Sequence, residues 1–172
     1  AMPSIETLIM ILLPALVVGG VAYYFFKTHT DFLKETQYND NLQALKKEAL
    51  PVRIQAYERL TLFLERINPG NLLQRVKPTG GNKFDYENLL VATIEQEFEH
   101  NLVQQIYVSD KCWQAIRASK NATISLIRQS TMSEKITDSQ KLREYILTEL
   151  LEKESPSMTG LAFLKNEAKQ LW

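Results

Sequence analysis

Few residues in this chain have the type and spacing to do chemistry. Glu97 and His100 stand three apart in a segment of helical period, the spacing that carboxylate-bridged di-iron bundles use. Such a site needs a second Glu-x-x-His and two further glutamates. The other histidine, His29, lies far up the chain, and His100 projects opposite the Phe98 stripe, toward solvent. No metal site is expected. Cys112 neighbours Trp113 with no histidine close in sequence, so it fits a small core residue better than a nucleophile. As a single cysteine it forms no internal disulfide and no cysteine-rich zinc site, which suits a reducing compartment. Glu97 and Glu99 point to different helix faces, and Ser and Thr occur without a nucleophile elbow or triad order. Gly80-Gly81 lacks the lysine and the preceding strand of a phosphate loop. The expectation is therefore no catalytic residue, no metal, no cofactor and no small-molecule substrate.

The elements that must position these residues are helices. Lys plus Arg balance Asp plus Glu at 20 against 20, so no net field draws the chain to nucleic acid. Leu8 to Phe26 (LIMILLPALVVGGVAYYFF) carries no charge. At 1.5 Å per residue it spans roughly 28 Å, enough for a hydrocarbon core of about 30 Å. Tyr23 and Tyr24 fall where an interfacial aromatic belt would lie. A cleavable signal peptide is the rival reading, but Glu6 stands where that reading needs a basic flank. Lys27 and Lys34 follow the span and nothing cationic precedes it. The positive-inside rule then puts the N-terminus outside and the remainder in the cytoplasm. Ala15, Gly19 and Ala22 share one face of the span with small-xxx-small spacing, a candidate surface for close helix packing. Thr28 to Ala49 continues as a juxtamembrane helix through Phe32, Leu33, Leu42, Leu45 and Ala49. Its Gln37–Asn41 stretch is a weak helix former, so a continuous helix and a break near Asn39 both stay open.

The densest segment comes next, LPVRIQAYERLTLFLERINP, from Leu50 to Pro69. Pro51 suits a first helical turn, and Asn68-Pro69 ends the helix. Ala56, Tyr57, Leu60, Phe63, Leu64 and Ile67 fall on one stripe about 120° wide that needs a core. On the other side Glu58, Arg59, Glu65 and Arg66 repeat at heptad spacing around Leu62. None has an opposite charge three or four residues away, so local pairing does not explain them. Either they are solvated, or they meet partners on another helix or chain. The second alternative makes Glu58, Arg59, Leu62, Glu65 and Arg66 a candidate interaction face.

That segment, with Leu72-Leu73 and Arg75 after it, resembles the hallmark of an uncharacterised family of small membrane-anchored helical proteins from Bacteroidota. EFEHNLVQQIYVS (Glu97 to Ser109), Trp113 and the terminal FLKNEAKQLW fit the same family, so the resemblance covers nearly the whole chain. It implies a membrane anchor and very little chemistry, and brings no catalytic residues; with the orientation read from charge, the expected location is a bacterial inner membrane with the soluble part in the cytoplasm.

Downstream, Gly70 to Val76 makes a short helical turn and Lys77 to Asn82 a loop, the most mobile candidate. Phe84 to Val108 has the period of one long helix, with Leu90, Val91, Ile94, Phe98, Leu102 and Ile106 inward. Its first half is acidic (Asp85, Glu87, Glu95, Glu97, Glu99). The next helix, Lys111 to Arg128, is basic (Lys111, Arg117, Lys120, Arg128) and packs through Trp113, Ile116, Thr123, Ile124 and Ile127. Opposite signs across a tight Ser109-Asp110 turn predict an antiparallel hairpin, and leave no basic surface for nucleic acid. Thr137-Asp138-Ser139-Gln140 has the form of a capping box opening a helix to about Lys153, through Leu142, Tyr145, Ile146, Leu147, Leu150 and Leu151. After Ser155-Pro156-Ser157 a last helix puts Met158, Leu161, Leu164, Ala168, Leu171 and Trp172 on one side. The expected fold is all-α: a transmembrane helix over residues 1–27, a juxtamembrane helix over 28–50, and a soluble helical bundle over 51–172. The expected function is a membrane-anchored scaffold or interaction module that self-associates or docks on a membrane assembly. A regulatory subunit of a membrane complex is the alternative, and an enzyme the more remote one.

Overall fold

The computed structural model describes residues 4–171, leaving out the side chains of Leu151 and Glu152. The expected inward placement of Leu151 and Trp172 therefore lies outside the described residues. Among the described residues every regular element is a helix, with no strand. Residue contacts divide it into two units, residues 1–49 and 50–172.

The first unit is the leading part of helix α1 (Ile5–Ile67), which includes one apolar stretch long enough to cross a membrane. The helix continues through Gln37–Asn41, so no break falls near Asn39. Threonines that would compete with the helical backbone instead donate back to it: Thr28 Oγ1 to the Tyr24 carbonyl at 2.9 Å, Thr36 Oγ1 to that of Phe32 at 2.9 Å. Along the apolar stretch every side chain is exposed, Leu16 at 75% and Phe26 at 74%.

The second unit starts with the last turns of α1. Ala56, Tyr57, Leu60, Phe63, Leu64 and Ile67 are all buried, as their spacing requires. Asn68 ends the helix and opens α2 (Pro69–Arg75), its Oδ1 accepting from the Gly70 amide at 3.0 Å, with Pro69 where its missing N–H costs nothing. Asn82 caps α3 (Lys83–Glu99) through the Phe84 amide, 2.8 Å away. The 77–82 loop between them is tied down: the Ser139 amide donates to the Gly81 carbonyl at 3.1 Å and the Ser139 hydroxyl to that of Gly80.

The long helix expected to Val108 ends at Glu99. The Asn101 side chain takes the Glu97 carbonyl at 2.8 Å, offering the backbone a local alternative to the helical ladder. A 3-10 helix comes after it (Leu102–Tyr107), and its change of pitch turns the apolar side chains outward. Leu102 and Ile106, expected in the core, are exposed at 40% and 70%. The tight Ser109-Asp110 turn is thus a longer connection.

Helix α4 (Asp110–Met132) runs back along α3. Lys120 pairs with Glu95 at 2.7 Å and Arg128 approaches Glu87 at 3.9 Å. Eight residues back on α3 match eight forward on α4, the register of an antiparallel pair, with the predicted signs on each side. Trp113, Ile116, Thr123, Ile124 and Ile127 are buried. The helix outruns its expected end at Arg128 and runs to Met132, with Ser130 and Thr131 donating to the Leu126 and Ile127 carbonyls at 2.7 and 2.9 Å.

Helix α5 (Ser139–Glu152) is capped by Asp138, not Thr137. Asp138 Oδ1 accepts from the Lys141 amide at 2.8 Å, and a carboxylate outcompetes the neighbouring hydroxyl for that donor. Thr137 donates to Asp138 instead, and Gln140 turns to Glu144. Helix α6 (Ser157–Ala168) buries Leu161 and Leu164 but leaves Met158 45% exposed, against expectation. Met158 belongs to its first turn and borders an open depression with Asn68, Gly70 and Leu150.

Helix α4 packs on α3, α5 and α6, most extensively on α6. Gly160 makes that approach possible: a Cβ there would stand 2.8 Å from Ser119 Oγ and 3.1 Å from Leu64 Cδ2. Its amide also donates to Ser119 Oγ at 2.9 Å. Gly160→Ala is expected to destabilise the protein by about 1–3 kcal/mol through overpacking. Thermal melts beside an exposed control, Thr159→Ala, check this, and equal melting temperatures would contradict the close packing.

Candidate functional site

The face of α1 opposite the buried stripe carries the predicted charges. With Ala56, Tyr57, Leu60, Phe63, Leu64 and Ile67 turned to the core, a 3.6-residue period turns Glu58, Leu62 and Glu65 away from it. Leu62 is 57% exposed. Glu58, Arg59 and Glu65 are exposed, and their side chains make no hydrogen bond or ion pair among the described residues; the Glu65 carbonyl accepts from the Asn71 side chain at 2.9 Å. Arg66 is held within the chain, its Nη2 2.5 Å and Nε 2.8 Å from Glu97 Oε1. Arg75 joins the same oxygen at 3.1 Å and donates to the Arg66 carbonyl at 3.2 Å. Glu97 is thereby committed to two guanidinium groups, while His100 stays on the surface. No three His, Cys, Asp or Glu side chains gather as a metal site among the described residues.

Leu62 forms a ridge between depressions. On the Glu58 and Glu65 side lies an open groove of about 470 Å³ over Ile54, Tyr57, Thr61, Ala168 and Leu171. On the other side, a smaller depression of about 180 Å³ is lined by Arg59, Arg66, Glu97 and His100, and a further one, toward α2, is lined by Glu65, Arg66, Gln74 and Arg75. An open apolar floor with charged borders suits contact with a complementary helix better than enclosure of a small molecule.

A hydrogen-bonded junction supports one end of the groove. Glu167 on α6 accepts from the Ser109 amide at 2.8 Å, from the Ser109 hydroxyl, and from the Tyr57 hydroxyl at 2.8 Å. Ser109 caps α4 through the Cys112 amide, and Arg53 donates to Tyr57 Oη at 3.2 Å. One carboxylate therefore joins α6, the start of α4 and α1. Burial pushes the Glu167 carboxyl up, but the Ser109 and Tyr57 hydrogen bonds outweigh it and hold the group below its ordinary 4.5. Burial, with the Glu167 contact, raises the Tyr57 hydroxyl.

A folded value below the unfolded one gives stability that is fully present above pH 4.5 and lost as pH falls through the folded value. Glu167→Gln is expected to lower stability by about 1–2 kcal/mol at neutral pH, since the carboxylate is partly exposed. The melting temperatures of variant and wild type should converge below pH 4.5. A constant gap between them in acid would contradict the role assigned to the charge. Cys112, buried nearby, has its thiol pushed up to about 12 by burial, which favours the protonated form at neutral pH.

The other predicted set, Ala15, Gly19 and Ala22, lies on the first unit, exposed, with open space where a Gly19 Cβ would stand. Sequence reasoning missed two features. The Glu167–Ser109–Tyr57 junction joins residues with no local spacing to betray them. The exposed apolar patch Leu102–Val103–Ile106 was hidden by its helical period, and the one available signal was the weak helix formers His100-Asn101 ahead of it. No curated protein and no solved structure matches the chain. A family model does match, over residues 3–171, and the chain belongs to that family, DUF7935, a family of unknown function.

Proposed function

We propose that this protein is a membrane-anchored, non-enzymatic interaction module, held by its leading helix in a bacterial inner membrane with the helical bundle in the cytoplasm. The observation that carries the reading is the apolar stretch of α1, exposed along its length among the described residues. Nineteen uncharged positions from Leu8 to Phe26 exposed to water would be strongly unfavourable, whereas a bilayer core supplies the apolar surroundings they need. The basic residues after the stretch favour a cytoplasmic location for the remainder of the chain. The open grooves on both sides of Leu62 favour action by contact.

Gly80→Cys, on an exposed loop, tests the orientation. In intact cells an impermeant maleimide should leave it unlabelled, and labelling should appear once the membrane is breached. Cys112 is buried and stays silent. Labelling of intact cells would overturn the orientation.

A further inference from the structure

We propose that the occupant of the Leu62 face is a second copy of this chain, with the two α1 helices side by side and parallel. This deepens the interaction-module reading and rests on it. Glu58 and Glu65 lie four before and three after Leu62, so 3.6 residues per turn puts both on one flank. Arg59 and Arg66, three before and four after, fall on the other flank. Glu97 neutralises one of the three arginines there (Arg59, Arg66, Arg75), leaving two positive charges. The acidic flank carries two unpaired negative charges. The face is therefore balanced and divided by its own apolar ridge.

Symmetry then selects one arrangement. A two-fold axis along the helices sets the acidic flank of each copy against the basic flank of the other, pairing Glu58 with Arg59 and setting Glu65 beside the Arg66 and Arg75 pair that shares Glu97. An axis perpendicular to the helices sets acid against acid and base against base, and is disfavoured. Leu62 of each copy meets its counterpart at the centre, ridge beside groove. Gln55, one heptad earlier and exposed, lies on the same line. Confinement to one membrane raises the local concentration, so a small contact suffices.

The test is disulfide capture of the full chain in native membranes. Gln55→Cys and Leu62→Cys should each give a crosslinked dimer on mild oxidation. Adding Glu58→Arg and Glu65→Arg to Gln55→Cys makes both flanks basic and should reduce the crosslink about tenfold or more. Co-expression with a Gln55→Cys chain carrying Arg59→Glu should restore it as a heterodimer. Arg66 is left in place because Glu97 holds it. Unchanged melting temperatures show that the variants fold. Crosslinking at Leu62→Cys but not at Gln55→Cys would mean an antiparallel contact and overturn the proposal. So would a crosslink indifferent to charge reversal, or none at either position in chains that remain membrane-bound. Chains found outside the membrane fraction would instead overturn the anchoring on which the proposal rests.

Discussion

Phe63→Ala should destabilise the helical unit by about 3–5 kcal/mol, the range for emptying a buried aromatic site. Phe63 is 1% exposed and its ring lies 5.7 Å from that of Phe98. Phe98 stacks in turn on Trp113 at 5.4 Å, with Lys120 Nζ 4.5 Å from the Phe98 ring centre and bound to Glu95. The side chain thus closes a cluster shared by α1, α3 and α4, and a cavity there cannot collapse without moving a helix. A fall in melting temperature of about 10 °C or more is expected from circular dichroism in detergent. A variant melting with wild type would mean that the stripe on α1 faces away from the core.

The second prediction concerns the opposite side of the same turn of helix. Leu62→Glu with Arg59→Glu should leave helical content and melting unchanged, because both residues are exposed and neither closes a contact in the fold. Association should be abolished. The double change replaces the apolar ridge by a charge and cancels the excess positive charge of the basic flank, so a partner's acidic flank loses its complement. Light scattering of the detergent-solubilised chain should give the mass of a single chain for the variant and a larger complex for the wild type. Equal masses would remove Leu62 and Arg59 from any interface. The two variants sit one position apart, Phe63 and Leu62, yet one should alter stability alone and the other association alone.

Much of the fold was legible because it is local. The period of α1 placed all six of its buried residues, since a helix with one apolar stripe has one way to face a core. The opposite signs of the acidic and basic helices pointed to an antiparallel pair with complementary flanks, and Glu95–Lys120 and Glu87–Arg128 supply the register that the sequence left open. What failed was decided by competition between neighbours. Asn101 broke a helix whose apolar period carried on to Ile106, and Asp138 displaced Thr137 at a cap that the Ser/Thr-x-x-Gln pattern assigned to the hydroxyl. Both errors come from side chains that bind their own backbone, which periodicity does not register. The candidate face was half legible. Heptad charges with no local partner drew notice to Glu58, Arg59, Glu65 and Arg66. That Glu97 and Arg75 take up Arg66 required the three-dimensional approach of α2 and α3 to α1. The groove over Ile54 and Tyr57 beside Leu62 depends on α6 and the 3-10 helix after it (Lys169–Leu171), far off in sequence.

Alkaline carbonate extraction of membranes holding the full chain, coupled to intact mass measurement, bears most directly on the lodging of α1 in lipid. Retention in the pellet of an uncleaved chain that still carries Leu8 to Phe26 is the expected result. Release of the intact chain into the wash, or a mature form lacking that stretch, would show that it serves as a peripheral helix or a removed signal and would contradict the anchor.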